Sequence, residues 1–113
     1  LATVFRMQGK YSDALANYFE ALPIIENLKP GSPDVARCLN NIGFVYREEG
    51  KPNEAIQYFH RSLQFCLSRL NENHEMTAIA YGALASALPR EEFDLAMDYS
   101  QRAIAIYMRL GLP

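Results

Sequence analysis

Gly50-Lys51-Pro52-Asn53-Glu54-Ala55-Ile56-Gln57-Tyr58-Phe59-His60-Arg61-Ser62-Leu63 is the stretch that decides the fold. Gly-Lys-Pro marks a turn, and the apolar residues that follow keep the three-and-four spacing of a helix running from about Asn53 to Leu70. The same pattern recurs at a period of 41 residues: Gly9-Lys10 returns as Gly50-Lys51, and Ala14 as Ala55 and Ala96. Tyr18 falls on Phe59, Ala21 on Ser62 and Ala103, and Leu22 on Leu63 and Ile104. A fixed period of this size signals stacked supersecondary units rather than one globular core.

Outward from that stretch, every segment reads as helix or short turn. Before it, Gly9-Lys10 predicts a break, with Ser12 capping a helix that runs to about Leu28 and is kinked by Pro23. Lys29-Pro30-Gly31 ends that helix. Ser32-Pro33-Asp34 starts the next: the Ser caps, the Pro takes the first helical position, and the Asp meets the positive end of the dipole. It runs to Glu49 with Val35, Cys38, Leu39, Ile42, Val45 and Tyr46 inward. Gly43, in its middle, costs roughly 1 kcal/mol against Ala and marks a place where another helix comes very close. After the quoted stretch, Asn71–His74 is polar loop, a fifth helix covers about Glu75–Leu88, Pro89 breaks it, and a sixth runs from about Glu91 to Leu110. The expectation is an all-α chain of six helices in three pairs, the first helix truncated. The units are residues 1–28, 29–71 and 72–113. The chain begins at Leu1, inside a helical pattern, and reads as a stretch of a longer protein.

Composition narrows the function. Half the residues are apolar, the net charge is −2, and the 11 basic residues are scattered, so the basic stripe that nucleic acid requires is missing. No apolar run approaches the roughly 20 residues of a membrane span. Cys38 and Cys66 lie within apolar helical patterns, with no metal-ligand spacing, and read as buried free thiols of a reducing, intracellular compartment. No cofactor is expected. His74-Glu75 opens like a zinc-protease motif, but Ala78 stands where the second His must be. His60 has no acid or nucleophile at a useful spacing. Glu48-Glu49 and Glu91-Glu92 sit at helix ends and turns, where solvated charge suffices, and there is no Gly-rich phosphate loop. The chain reads as non-catalytic.

The quoted stretch resembles the turn and second helix of a tetratricopeptide repeat, and Gly9-Lys10-Tyr11-Ser12-Asp13-Ala14-Leu15 is similar one unit earlier. Leu39, Ile42-Gly43 and Tyr46 match the family's large residue, its Leu-Gly-like pair and its aromatic. With a period longer than the usual 34 or so residues, and with Ser32-Pro33-Asp34-Val35-Ala36 and Leu39-Asn40-Asn41-Ile42, the chain resembles the long variety found in kinesin light chains. The third unit departs: Glu91 and Glu92 replace the turn glycine.

The resemblance implies a right-handed α-solenoid whose first helices line a concave groove for a protein or peptide partner. Carried over to the second unit, that face holds Arg37, Asn40, Asn41, Phe44 and Arg47, with Glu48 at its edge. A carboxamide both donates and accepts, which suits Asn40 and Asn41 to the backbone of an extended peptide. Flanking positions would be Thr3, Arg6 and Met7 on one side and Ile79, Gly82, Ala83 and Ser86 on the other. That small, apolar wall offers no cation to complete the carboxylate clamp of some family members, although Asn41 matches one clamp residue. The last helix, apolar nearly all round over Ala103–Met108, lacks a polar cap. Self-association through Ile106 and Met108 is the second expectation.

Overall fold

The computed structural model describes residues 2–111, and side chains from residue 8 onward. Its helices are α1 (Ala2–Leu28), α2 (Pro33–Glu48), α3 (Pro52–Arg69), α4 (Glu75–Ala87) and α5 (Phe93–Leu110), with a 3-10 turn at Arg90–Glu92 before α5. Among the described residues there is no strand. Each helix packs on the next, and α2 also touches α4. This is the contact ladder of a solenoid, in which like elements of neighbouring units meet. Burial follows the ladder: one apolar cluster lies between α1 and α2, and a larger one joins α3, α4 and α5.

The helix starts follow their caps. Ser32 Oγ accepts from the Asp34 N–H at 3.0 Å, as its sequence predicts. His74 does the same for α4, its Nδ1 accepting from the Met76 N–H at 3.0 Å. The ring read as an unfinished zinc motif is thus a neutral helix cap. Between α2 and α3 the chain reverses at Gly50, whose φ of 82° suits a residue without Cβ. Pro52 then takes the first position of α3, where its missing N–H costs nothing.

One expected turn is absent. Residues 2–28 form a single helix through Gly9-Lys10, so there are five α-helices and not six. The difference lies in the residue after the Gly-Lys pair. Pro52 cannot continue a helix and enforces the reversal at Gly50, whereas Tyr11 follows Gly9-Lys10 and can. A lone Gly costs only about 1 kcal/mol in a helix, which the rest of α1 absorbs.

Candidate functional site

The five residues expected on one groove-lining stripe of α2 separate into three environments. Arg37 and Asn41, one helical turn apart, border a cleft of about 200 Å³ between α1 and α2. Its walls are Tyr18, Ala21 and Ile25 from α1 and Cys38 from α2, with Asp34 beside Arg37 at the rim. Arg37 donates to Asp34, so the rim carries a closed ion pair rather than a free cation. Asn41 is half-buried at the floor of the rim, its carboxamide next to apolar wall.

Phe44 and Arg47 belong to a second patch, toward α4. The Arg47 guanidinium lies 5.0 Å from the centre of the Phe44 ring, and its Nη1 donates to Ser86 Oγ at 2.9 Å. Phe44 in turn meets the edge of Phe59 at 5.1 Å between ring centres. Arg47 is therefore exposed but held, bridging the first helices of two units.

Asn40 is in neither patch. It is 2% exposed, and neither its Oδ1 nor its Nδ2 has a hydrogen-bond partner. Adjacent helix positions are about 100° apart, so Asn40 and Asn41 cannot share a face, and the packed interior takes Asn40. The flanking expectations divide in the same way. Gly82 and Ser86 border open space between α4 and α5. Ala83 is buried in the large cluster and Ile79 packs against the core around Cys66, so neither lines a groove. Thr3, Arg6 and Met7 lie outside the described side chains.

Tyr18, Ala21 and Ile25 were not foreseen as site residues, because helical spacing marks them as core stripe. Their position beside Asn41 follows only from how α1 crosses α2. Cys38, at the same cleft, is chemically quiet: burial, with help from the nearby Glu26 charge, pushes its thiol pKa up. Its Sγ donates toward the Tyr18 carbonyl at 3.6 Å. Cys66 is likewise raised by burial. Thiols held protonated are poor nucleophiles.

At the far end, the two residues expected on an open face of the last helix part company. Ile106 is 3% exposed and faces into the α4–α5 pair, which corrects that reading, whereas Met108 is 74% exposed. Both sit on one helix, but two positions apart places them on different sides of it. No helix among the described residues is long and apolar enough to cross a membrane.

Comparison with known proteins agrees with this architecture. The sequence profile of the tetratricopeptide repeat matches twice in overlapping registers, over residues 1–66 and 34–109. The chain is similar to the Photosystem I assembly protein Ycf3 of Acaryochloris marina, 32% identical over 89% of this chain and 63% of that protein. It is also similar to the proteins of that name from Rippkaea orientalis (30% identical; 87% of this chain, 58% of that one) and Sorghum bicolor (29%; 88% and 59%). The chain thus spans about six-tenths of the length of the curated relatives it matches. With the helix ladder, the recurring turn and the matched profile together, this chain belongs to the tetratricopeptide repeat family.

Proposed function

We propose that the chain is a non-catalytic protein-interaction scaffold that holds an extended segment of a partner protein along α2. The cleft between α1 and α2 carries this reading, because it joins an apolar well to a two-way hydrogen-bonding group. Tyr18, Ala21 and Ile25 form a well of about 200 Å³, the right scale for one aliphatic side chain, and Asn41 stands at its edge. The carboxamide pairs with peptide backbone regardless of sequence, while the well selects the anchor. Phe44 and Arg47 form the next contact along the segment. Asn40, buried between helices, has no part in it. Affinity of a single such segment is about micromolar, or roughly −8 kcal/mol.

The relatives support a role in assembly. They are named as photosystem I assembly proteins, and a scaffold that holds subunit segments before they are joined is the corresponding job here. The recurrence of Gly-Lys turns and of caps at Ser32 and His74 favours the long variety of repeat. The unpaired buried thiols favour an intracellular, reducing setting.

A peptide array tiled over photosystem I subunits, probed with the purified chain, tests the reading. A discrete class of peptides with a shared apolar anchor should bind, and Asn41→Ala and Ile25→Glu should remove it. Binding that survives both substitutions, or no binding at all, rejects the α1–α2 cleft as the site.

A further inference from the structure

α3 and α5 are one element repeated 41 residues apart, but only α3 is covered. On α3 the stripe Ile56, Phe59, Leu63 lies against α4, with Phe59 fully buried and Leu63 6% exposed. The corresponding residues of α5 are Met97, Ser100 and Ile104, and Ile104 is 55% exposed. Phe93 and Met108, both largely exposed, extend this stripe in either direction at three- and four-residue steps.

At the centre of the stripe is a hollow with a definite cause. In the second unit the Phe59 ring fills the seam against Gly43, so tightly that a Cβ there would meet Phe59 Cδ1 at 2.7 Å and Cζ at 2.9 Å. In the third unit Ala85 and Ser100 take these two places. The ring is gone, and a cleft of about 410 Å³ opens between Gly82, Ala85 and Ser86 of α4 and Ala96, Met97 and Ser100 of α5. The knobs that could fill it are on the same stripe. Ile104 lies one helical turn beyond Ser100, and Met108 two.

A face that carries its own knob and its own hollow in one line is self-complementary about a two-fold axis. Charge sets the direction. Glu91, Glu92, Asp94 and Asp98 occupy the start of α5, and Arg102 and Arg109 its second half, where no acid lies between Tyr99 and Gly111. Two such helices attract when antiparallel and repel when parallel.

We propose that this face binds a second copy of the chain. Two α5 helices cross antiparallel about an axis beside residue 102, Ile104 of each copy lies against Ser100 of the other, and each Met108 enters the other's cleft beside Ala96. One helix and one cleft per copy make a small interface, so the dimer is weak, with Kd on the order of 10 µM. The face is separate from the peptide cleft, and either assignment can fail without the other.

Sedimentation equilibrium of the whole chain across the micromolar range tests it. A concentration-dependent dimer is expected, with Kd raised at least about tenfold by Met108→Glu. The double variant Ala85→Gly/Ser100→Phe, which rebuilds the Gly43–Phe59 seam and plugs the hollow, should weaken the dimer as much. Should that variant fold poorly, Ile104→Glu replaces it, since Ile104 is exposed and its helix signal in circular dichroism should be unchanged. Leu28→Glu, on α1, should leave the dimer intact. Gln101→Cys, near the axis, should cross-link between copies under oxidation, and Glu91→Cys should not. A monomer at every concentration overturns the proposal. So do a head-to-tail polymer, a dimer indifferent to Met108→Glu and Ile104→Glu, or one that Leu28→Glu dissolves.

Discussion

The seam between α2 and α3 and the seam between α4 and α5 are built on the same plan and closed differently. The first is dry: Gly43 admits the Phe59 ring, Phe44 meets its edge, and Ser62 Oγ donates to the Ala36 carbonyl at 3.3 Å. The second keeps small residues at the equivalent places, Ala85, Ser100 and Ala103, and part of it stays open. One repeat thus invests its seam in stability, while the next leaves its seam available for contact. In a repeat array, whose stability is close to a sum over units and interfaces, such a division is readable substitution by substitution.

The largest effect should come from emptying the closed seam. Phe59→Ala removes a fully buried ring and should cost about 3–5 kcal/mol in urea denaturation. Its counterpart, Ser100→Ala, should stay within about 0.5 kcal/mol. Equal losses at the two positions would mean that the seams are not different in kind.

A sharper comparison uses two glycines, because the expected signs are opposite. Gly43→Ala gains helix propensity but drives a Cβ into Phe59, a ring fixed by the packing around it. Overpacking of this sort costs about 1–3 kcal/mol and should outweigh the gain. At Gly82 a new Cβ would meet only Ala103 Cβ, at 4.0 Å, an ordinary contact. There the propensity term acts alone, and Gly82→Ala should raise stability by up to about 1 kcal/mol. Thermal melts of the two variants settle it, and a stabilising Gly43→Ala would overturn the account of the closed seam.

Much of this contrast was legible in the residues. A costly Gly in mid-helix flagged the close approach at Gly43, and Ser32-Pro33-Asp34 located the start of α2. The Phe59 column, followed one more step to Ser100, would have announced the open seam. What spacing could not provide was azimuth. Asn40 and Asn41 look alike as neighbours in a string, yet one lies in the packed interior and the other at a cleft rim. Nor could it supply the path of α1, where the missing proline after Gly9-Lys10 decided against a turn. Tyr18, Ala21 and Ile25 are recognisable as a binding wall only after α1 is laid across α2.

Asn40 yields an effect of intermediate size with its own diagnostic value. A carboxamide buried without partners is a standing cost of about 1–3 kcal/mol. Asn40→Leu, similar in volume, should be neutral or should stabilise the chain by about 1 kcal/mol, and should leave peptide binding unchanged. Asn41→Ala should do the reverse, sparing stability and abolishing binding. A loss of peptide affinity in Asn40→Leu would return Asn40 to the site.

The smallest effect separates the two seams by pH. Cys66, at the closed seam, and Tyr107, which is 41 residues on and beside the open one, both have their pKa raised, first by burial and in Tyr107 also by the Glu75 charge. In each case the folded state holds the proton to higher pH than the unfolded chain does. Below the ordinary thiol value of 9.0 both states are protonated and Cys66 contributes no pH dependence. Above it the unfolded chain ionises first, so stability falls as pH rises through the window between the unfolded and folded values. Cys38 adds to this first decline, and Tyr107 to a second that begins near the ordinary phenol value of 10.0. Urea midpoints should therefore be flat from neutral pH to about 9 and decline beyond it. Cys38→Ala/Cys66→Ala should lower the plateau, since two buried side chains are trimmed, but flatten the first decline and leave the second. An unchanged slope in that variant would show that the alkaline loss arises from the tyrosines alone, Tyr46 included, whose phenol burial also pushes up.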